Sequence, residues 1–106
     1  MAVIKIVFGG QTGVDRGALD AALAAGFPCG GWCPADRRAE DGPIPERYPL
    51  DPLPGAGYRE RTRQNVIDCD ATAILFYQSL TGGTLLTRNL CVRQKKPFIV
   101  IDAQEF

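Results

Sequence analysis

Two short glycine-rich segments, GGQTG at residues 9–13 and TGGT at residues 81–84, have the composition of anion-binding loops. Glycine lacks a Cβ atom, so backbone N–H groups can approach a ligand closely. A helix is predicted after each segment, and a helix N-terminus carries partial positive charge. The two segments together predict a phosphate or other anion site formed by Gly9, Gly10, Gln11, Thr12, Gly13, Thr81, Gly82, Gly83 and Thr84.

Each segment also has a simpler interpretation. GGQTG is not a G-x-G-x-x-G fingerprint, and neither segment contains the lysine of a P-loop, so a tight turn is an alternative for each. Thr81 and Thr84 could donate their hydroxyls to an anion, cap the following helix, or do both.

Asp15 and Arg16 follow GGQTG directly, in the first turn of the predicted helix. Asp15 either forms a T-x-x-D capping box with Thr12 or has a role in the site. Because its charge would repel a phosphate, that role would be to accept a sugar hydroxyl or ring N–H, or to hold a metal. Arg16 is either an anion ligand or a solvated surface residue.

A second charged cluster lies in the proline-flanked segment DRRAEDGP. Arg37 and Arg38 can clamp a phosphate through bidentate hydrogen bonds. Glu40 and Asp41 could hold a cation or act as acid and base. The alternative for all four is a solvated charged surface. If the protein is an enzyme, the candidate catalytic residues are Asp15, Glu40 and Asp41.

The composition excludes several classes of function. The 106 residues include 12 basic and 12 acidic side chains, so a broad electrostatic nucleic-acid interface is not expected. The chain has no histidine, which excludes mechanisms that need an imidazole base. The four cysteines form no C-x-x-C pair and are predicted to be reduced, buried thiols, so no metal site is predicted, although Cys33 could ligate a soft metal. No segment is long enough to span a membrane, and a cytoplasmic location is expected.

The hydrophobic pattern alternates between strands and helices. Apolar runs that end at glycine or proline predict strands, and the spacing Val14, Ala18, Ala21, Ala25 predicts a helix that Gly26 terminates. Residues 33–57 contain six prolines, which predicts an ordered loop without regular helix or interior strand. Arg59, Arg61 and Arg63 are predicted to lie on the surface, with Arg59 or Arg63 able to reach the site. Strands are predicted at residues 3–8, 27–32, 71–77 and 98–102, and helices at residues 14–25, 58–68 and 81–94.

This order predicts an α/β fold with parallel strands and right-handed crossovers, in a single domain at residues 1–106. Both glycine-rich segments then lie at the carboxyl ends of strands, and they face each other across one crevice if those strands are neighbours. The last strand, FIVID, is predicted at a sheet edge, so a homo-oligomer (a dimer or tetramer) is expected.

Three segments carry a resemblance to a known family: GGQTGVDRGALDAAL, GGWCPADRRAEDGPIPERYPL and LTGGT. They resemble the bacterial "putative molybdenum carrier" family, also described as circularly permuted YpsA-like members of the SLOG superfamily, over residues 5–102. The resemblance implies a Rossmann-like three-layer fold, with a small, mostly parallel sheet of about four strands and helices on both faces. It also implies that the charged residues named above, Asp15, Arg16, Arg37, Arg38, Glu40 and Asp41, join the glycine-rich segments in the ligand site.

The sequence departs from its wider relatives in two respects. LOG proteins of the same superfamily act on nucleotides with a GGxGTxxE pattern and a catalytic glutamate, whereas Leu85, Leu86, Thr87 and Arg88 follow GGT here. Family members usually continue with a further strand and helix, which leaves a short or a truncated member as alternatives.

Three functions are compatible with these features. The favoured one is binding or carrying a small phosphorylated ligand, either a nucleotide or the molybdenum cofactor, whose pterin bears a phosphate. No residue specifies molybdenum. The alternatives are an enzyme that hydrolyses a nucleotide or N-glycosidic bond, and a domain that senses a nucleotide-derived signal.

Overall fold

The computed structural model of the chain describes residues 5–11 and 13–105 and confirms the α/β class. Its helices are α1 (Val14–Ala25), α2 (Tyr58–Asp68) and α3 (Gly82–Arg93), and a short 3-10 helix covers Ala103–Glu105. Its strands are β1 (Ile6–Val7), β2 (Cys29–Gly30), β3 (Trp32–Cys33), β4 (Arg38–Ala39), β5 (Gly42–Pro43), β6 (Asp51–Pro52), β7 (Thr72–Phe76) and β8 (Phe98–Asp102). The first part of the predicted strand at residues 3–8 lies outside the described residues.

Helix α1 begins and ends where the sequence predicted. Leu19 and Ala22 are its buried residues, on the apolar side of the helix. Gly26 ends the helix in the left-handed conformation, with φ 68°, and its N–H donates to the Leu23 carbonyl. The predicted glycine cap is therefore confirmed, because glycine adopts this conformation without a steric penalty.

The chain divides into two units, Met1–Arg61 and Thr62–Phe106. In the first unit, the segment 29–33 pairs on two sides: β1 is parallel to β2, and β6 is parallel to β3. Gly31 lies between β2 and β3 with φ 134°, and a Cβ there would overlap the Phe8 carbonyl. Only glycine allows the strand to pass this close to the end of β1.

The proline-rich segment is ordered and packed, as expected, and it contains no interior strand among the described residues, although short strands that the sequence did not predict are present. It contains β4, β5 and β6, and β4 and β5 form an antiparallel hairpin. Each strand has only two residues, so Pro43 and Pro52 can occupy them without interrupting a long ladder. The segment also supplies most of the buried cluster of this unit, which consists of Leu19, Cys33, Ala39, Ile44, Tyr48 and Leu50.

In the second unit, β7 and β8 form a parallel ladder of five residue pairs from Thr72 and Phe98 to Phe76 and Asp102. Val66, Leu90 and Cys91 form its buried cluster, with Leu86 packed against it. The sequence placed these strands and α3 to within two residues. Across the described residues the ladders contain two strands each, three of them parallel and one antiparallel.

Candidate functional site

The GGQTG segment connects β1 to α1, as predicted, and its first two glycines are buried. Gly10 and Gly13 have φ angles of 80° and 85°, which favour glycine. A Cβ on Gly10 would overlap the Leu50 side chain, so the loop rests directly on the core. Gly13 is the N-cap of α1 and has no side chain that could accept a hydrogen bond from the first turn. The predicted capping role of Thr12 lies outside the described residues.

Arg61 lies against this loop, although the sequence placed it on the surface. Its side chain belongs to α2, and only 9% of the residue is exposed. A Cβ on Gly9 would overlap the Arg61 guanidinium, so the missing side chain of Gly9 is what makes room for it. Residues 59 and 63 are one helical turn apart and share a face, whereas residue 61 points to the other side. This helical spacing could have distinguished Arg61 from the other two arginines, and Arg59 and Arg63 are exposed as predicted.

The Arg61 guanidinium is incompletely paired. Its Nε atom is buried and has no hydrogen-bond partner in the part of the chain that the structure describes. Among the same residues, the recorded ion pairs join Arg16 to Asp41 and Arg38 to Asp36, and none involves Arg61. Burial lowers the pKa of Arg61, an effect that the field of Asp15 opposes. Because a buried charged group that is not fully hydrogen-bonded is unfavourable, an anion near this position would be stabilised.

Asp15 is half-buried and lies next to the same loop. Burial raises the pKa of its carboxyl, while the Arg61 charge and hydrogen bonds from the backbone N–H groups of Gln11 and Gly9 act in the opposite direction. The carboxyl therefore uses two of the N–H groups that the sequence assigned to an anion. A protonated Asp15 could accept these bonds through one oxygen and donate from the other to a ligand.

Arg16 ties the loop to the β4–β5 hairpin. Its Nε and Nη2 atoms each donate to the Gly10 carbonyl at 3.1 Å, and its Nη1 and Nη2 atoms donate to the two Asp41 carboxylate oxygens at 2.9 and 3.1 Å. This pairing lowers the pKa of Asp41. The Gln11 side-chain amide adds a second link by donating to the Arg38 carbonyl at 3.1 Å. Arg16 and Asp41, both predicted site residues, hold each other and the loop.

The two adjacent arginines of the hairpin point to different surroundings, so the structure does not bring together the predicted two-arginine clamp. Arg37 donates to the backbone carbonyls of Leu50, Pro45 and Tyr48 at 2.7, 3.0 and 3.3 Å. The left-handed conformation of Arg37, with φ 56°, precedes β4. Arg38 is exposed and lies 5.7 Å above the centre of the Tyr58 ring. Glu40 is exposed in the turn between β4 and β5.

The TGGT segment begins α3 in the second unit. Thr81 is the N-cap, yet its side chain makes no capping hydrogen bond with the described residues. The Thr84 hydroxyl donates to the Thr81 carbonyl at 2.7 Å, and Thr87 donates in the same way to the Gly83 carbonyl at 2.8 Å. The N-cap side chain therefore satisfies no N–H group of the first turn, and among the described residues nothing lies within 4 Å of a Cβ built on Gly82 or Gly83. The anion site at this helix start stays a prediction, with which this geometry is compatible.

No group of three potential metal ligands occurs among residues 5–11 and 13–105. The four cysteines are unpaired, and Cys33 and Cys91 are buried as predicted, while Cys29 and Cys69 are half-buried. Burial raises the pKa of the Cys33 thiol, which disfavours the thiolate that a soft metal needs. None of the described helices has the length and apolar character required to cross a bilayer.

These features define the class of Rossmann-like α/β domains with glycine-rich strand-to-helix connections. The chain belongs to the circularly permutated YpsA family of SLOG proteins, whose family model matches residues 6–106. It is similar to a crystal structure from Syntrophus aciditrophicus SB, described as a "Putative molybdenum carrier protein", with 45% sequence identity and a TM-score of 0.95. The alignment covers 99% of this chain and 66% of that one. Among curated proteins, none matches the chain significantly.

Proposed function

We propose that this protein binds a small phosphate-bearing ligand, nucleotide-like or pterin, with the anionic group held between the GGQTG loop and Arg61. The observation that carries this proposal is the buried Arg61 guanidinium, which occupies the space left by Gly9 of the loop and whose Nε atom has no hydrogen-bond partner among the described residues. A buried guanidinium that is not fully hydrogen-bonded is unfavourable, and a bound anion would offset part of that cost. The left-handed glycines and the start of α1, whose N-cap Gly13 has no side chain to accept from the first turn, add backbone N–H groups and partial positive charge on this side.

The similarity to a molybdenum carrier supports a pterin as one such ligand. The buried cation at Arg61 supports binding through the phosphate of such a cofactor, since the described residues offer no group of three potential ligands for the metal itself. The chain spans 66% of the length of the structure it resembles, so the cargo named for that protein is here a proposal. Unpaired cysteines support a cytoplasmic location, and the family model that spans residues 6–106 supports a single domain.

Thermal unfolding with a panel of candidate ligands tests the proposal. The panel contains molybdenum cofactor, molybdate, inorganic phosphate, AMP, GMP and NAD, each at constant ionic strength. A ligand present at a hundred times its Kd stabilises the folded state by about 2.7 kcal/mol, which raises Tm by roughly 10–20 °C for a domain of this size. Failure of every compound to raise Tm contradicts the proposal.

One observation favours an enzyme as the second candidate. Burial raises the pKa of the Asp15 carboxyl, which lies beside the GGQTG loop. A raised pKa next to a ligand site is typical of a general acid or base. Asp41 is a weaker candidate because Arg16 holds it as a carboxylate. Hydrolysis assays on nucleoside monophosphates and NAD test this role: Asp15→Asn should abolish turnover, while Glu40→Gln, at an exposed position, should retain it. Unchanged turnover in Asp15→Asn, or none in the wild type, contradicts it.

A further inference from the structure

A small cleft lies on the β4–β5 hairpin, beside the GGQTG loop but separate from it. Asp36, Arg38, Gly42 and Pro43 line it, and its volume is about 220 Å³. Pockets for complete small molecules have volumes of about 300–1,000 Å³, so this cleft suits a fragment such as one ring system.

Arg38 lines the cleft and contacts two neighbouring side chains. Its guanidinium lies over the Tyr58 ring at 5.7 Å, which is within the range of a cation–π interaction. Asp36 contacts the same residue at two points, since the Asp36 Oδ1 atom accepts from the Arg38 backbone N–H at 3.2 Å and Oδ2 lies 3.5 Å from the Arg38 Nε atom at the edge of the guanidinium. A planar guanidinium held in this way is a stacking surface for a flat ring.

A helical spacing and a hydrogen bond connect this surface to the GGQTG loop. Tyr58 and Arg61 are three residues apart on α2, so they are neighbours on one face, and the Tyr58 phenol influences the Arg61 pKa. Gln11 of the loop donates to the Arg38 carbonyl at 3.1 Å. Helix α2 therefore presents an aromatic ring and a buried cation next to each other.

We propose that Arg38, stacked on Tyr58 and held by Asp36, binds the planar heteroaromatic ring of the ligand whose phosphate lies at Arg61. This inference rests on the proposed function, and it assigns the ligand to the class of ring-bearing phosphate esters. It gives Arg38 a role in specificity, whereas Arg61 supplies affinity for the anion.

Calorimetric titration with AMP and with ribose 5-phosphate, which lacks the base, tests the inference. The wild type should bind AMP about 5- to 150-fold more tightly, the range expected from stacking of one base. Arg38→Lys keeps the charge but loses the planar group, so it should bind both compounds with similar affinity. Arg61→Met should bind neither, and Arg63→Lys, at an exposed position of α2, should retain the wild-type preference.

The outcomes separate the two proposals. If the wild type binds AMP and ribose 5-phosphate equally, or if Arg38→Lys keeps the preference for AMP, the inference about the ring is wrong while the anion site stands. If neither compound binds to the wild type, both the anion site and the ring surface are contradicted.

Discussion

Gly9 and Arg61 are mutually dependent, because the guanidinium occupies the space that any side chain at position 9 would need. We expect Gly9→Ala to displace Arg61, to lower the free energy of unfolding by about 1–3 kcal/mol, and to abolish the thermal shift with phosphate-bearing ligands. Urea unfolding and the thermal assay measure the two effects.

Gly17→Ala is the matched control for this substitution. Gly17 lies inside α1, and a Cβ there would meet open space. Since alanine favours the helix, this variant should gain about 0.5–1 kcal/mol and bind normally. A Gly9→Ala protein that is as stable as the wild type and still responds to ligand would show that the contact is unimportant.

Arg61→Met should separate stability from binding. Methionine fills a similar volume without a charge, so in the absence of an anion the variant should be at least as stable as the wild type. Urea unfolding in phosphate-free buffer checks this. A loss of more than about 2 kcal/mol would assign Arg61 a structural role instead.

Asp15 should make stability depend on pH. Burial raises the folded-state pKa of the Asp15 carboxyl above the ordinary value of 3.8. The stability that comes from the protonated carboxyl is therefore fully present below pH 3.8, and it is lost as the pH rises through the folded-state pKa and the buried carboxyl ionises. Asp15→Asn cannot ionise and should lack this loss. Free energies of unfolding, measured from pH 4 upwards for both proteins, test the expectation, and parallel curves would contradict it.

At the scale of elements, the proline-rich segment depends on Arg37. This side chain donates to backbone carbonyls at Leu50, Pro45 and Tyr48, which no regular ladder of strands satisfies. Because hydrogen bonds from a charged donor are worth about 1.5–3 kcal/mol each, Arg37→Ala should lose about 3 kcal/mol or more. Arg63→Ala, at an exposed position, is the control. If Arg37→Ala and Arg63→Ala were equally stable, the stabilisation of the proline-rich segment by Arg37 would be contradicted.

The elements also show which parts of the fold the sequence could predict. Helix α1 was predictable to its last residue because an apolar stripe and a glycine cap mark it. Strands β4, β5 and β6 were missed because two-residue strands are too short to show a period. The conformation at Arg37, with φ 56°, directs neighbouring side chains apart, and no pattern of residue types indicates that.

The candidate site could also be predicted only in part from the sequence. The glycine-rich loops follow from composition, since close approach of the backbone requires glycine. Arg61 was missed because α2 has no apolar stripe that would identify its inner face. The pairing of Arg16 with Asp41 was not predictable, because nothing in the sequence indicates that these two residues, 25 positions apart, interact.

For the molecule as a whole, β8 suggests self-association. Its residues Phe98, Ile99 and Val100 are 38%, 60% and 41% exposed, although all three are apolar. Exposed apolar strands are usually covered by a partner. We expect a homo-oligomer that Ile99→Lys converts to a monomer, measured by light scattering across a concentration series, with Lys95→Ala as the control. A wild-type monomer at every concentration would contradict this.

The central claim is that an anion binds between the GGQTG loop and Arg61, and titration of the ¹⁵N-labelled protein with AMP at constant ionic strength tests it most directly. NMR resolves the Arg61 Nε–H and the amides of Gly9, Gly10 and Gly13. The account predicts that these signals shift together and saturate with one Kd, while the Nε–H of the exposed Arg63 does not move. Signals at Arg61 and the loop that stay unchanged throughout the titration would contradict it.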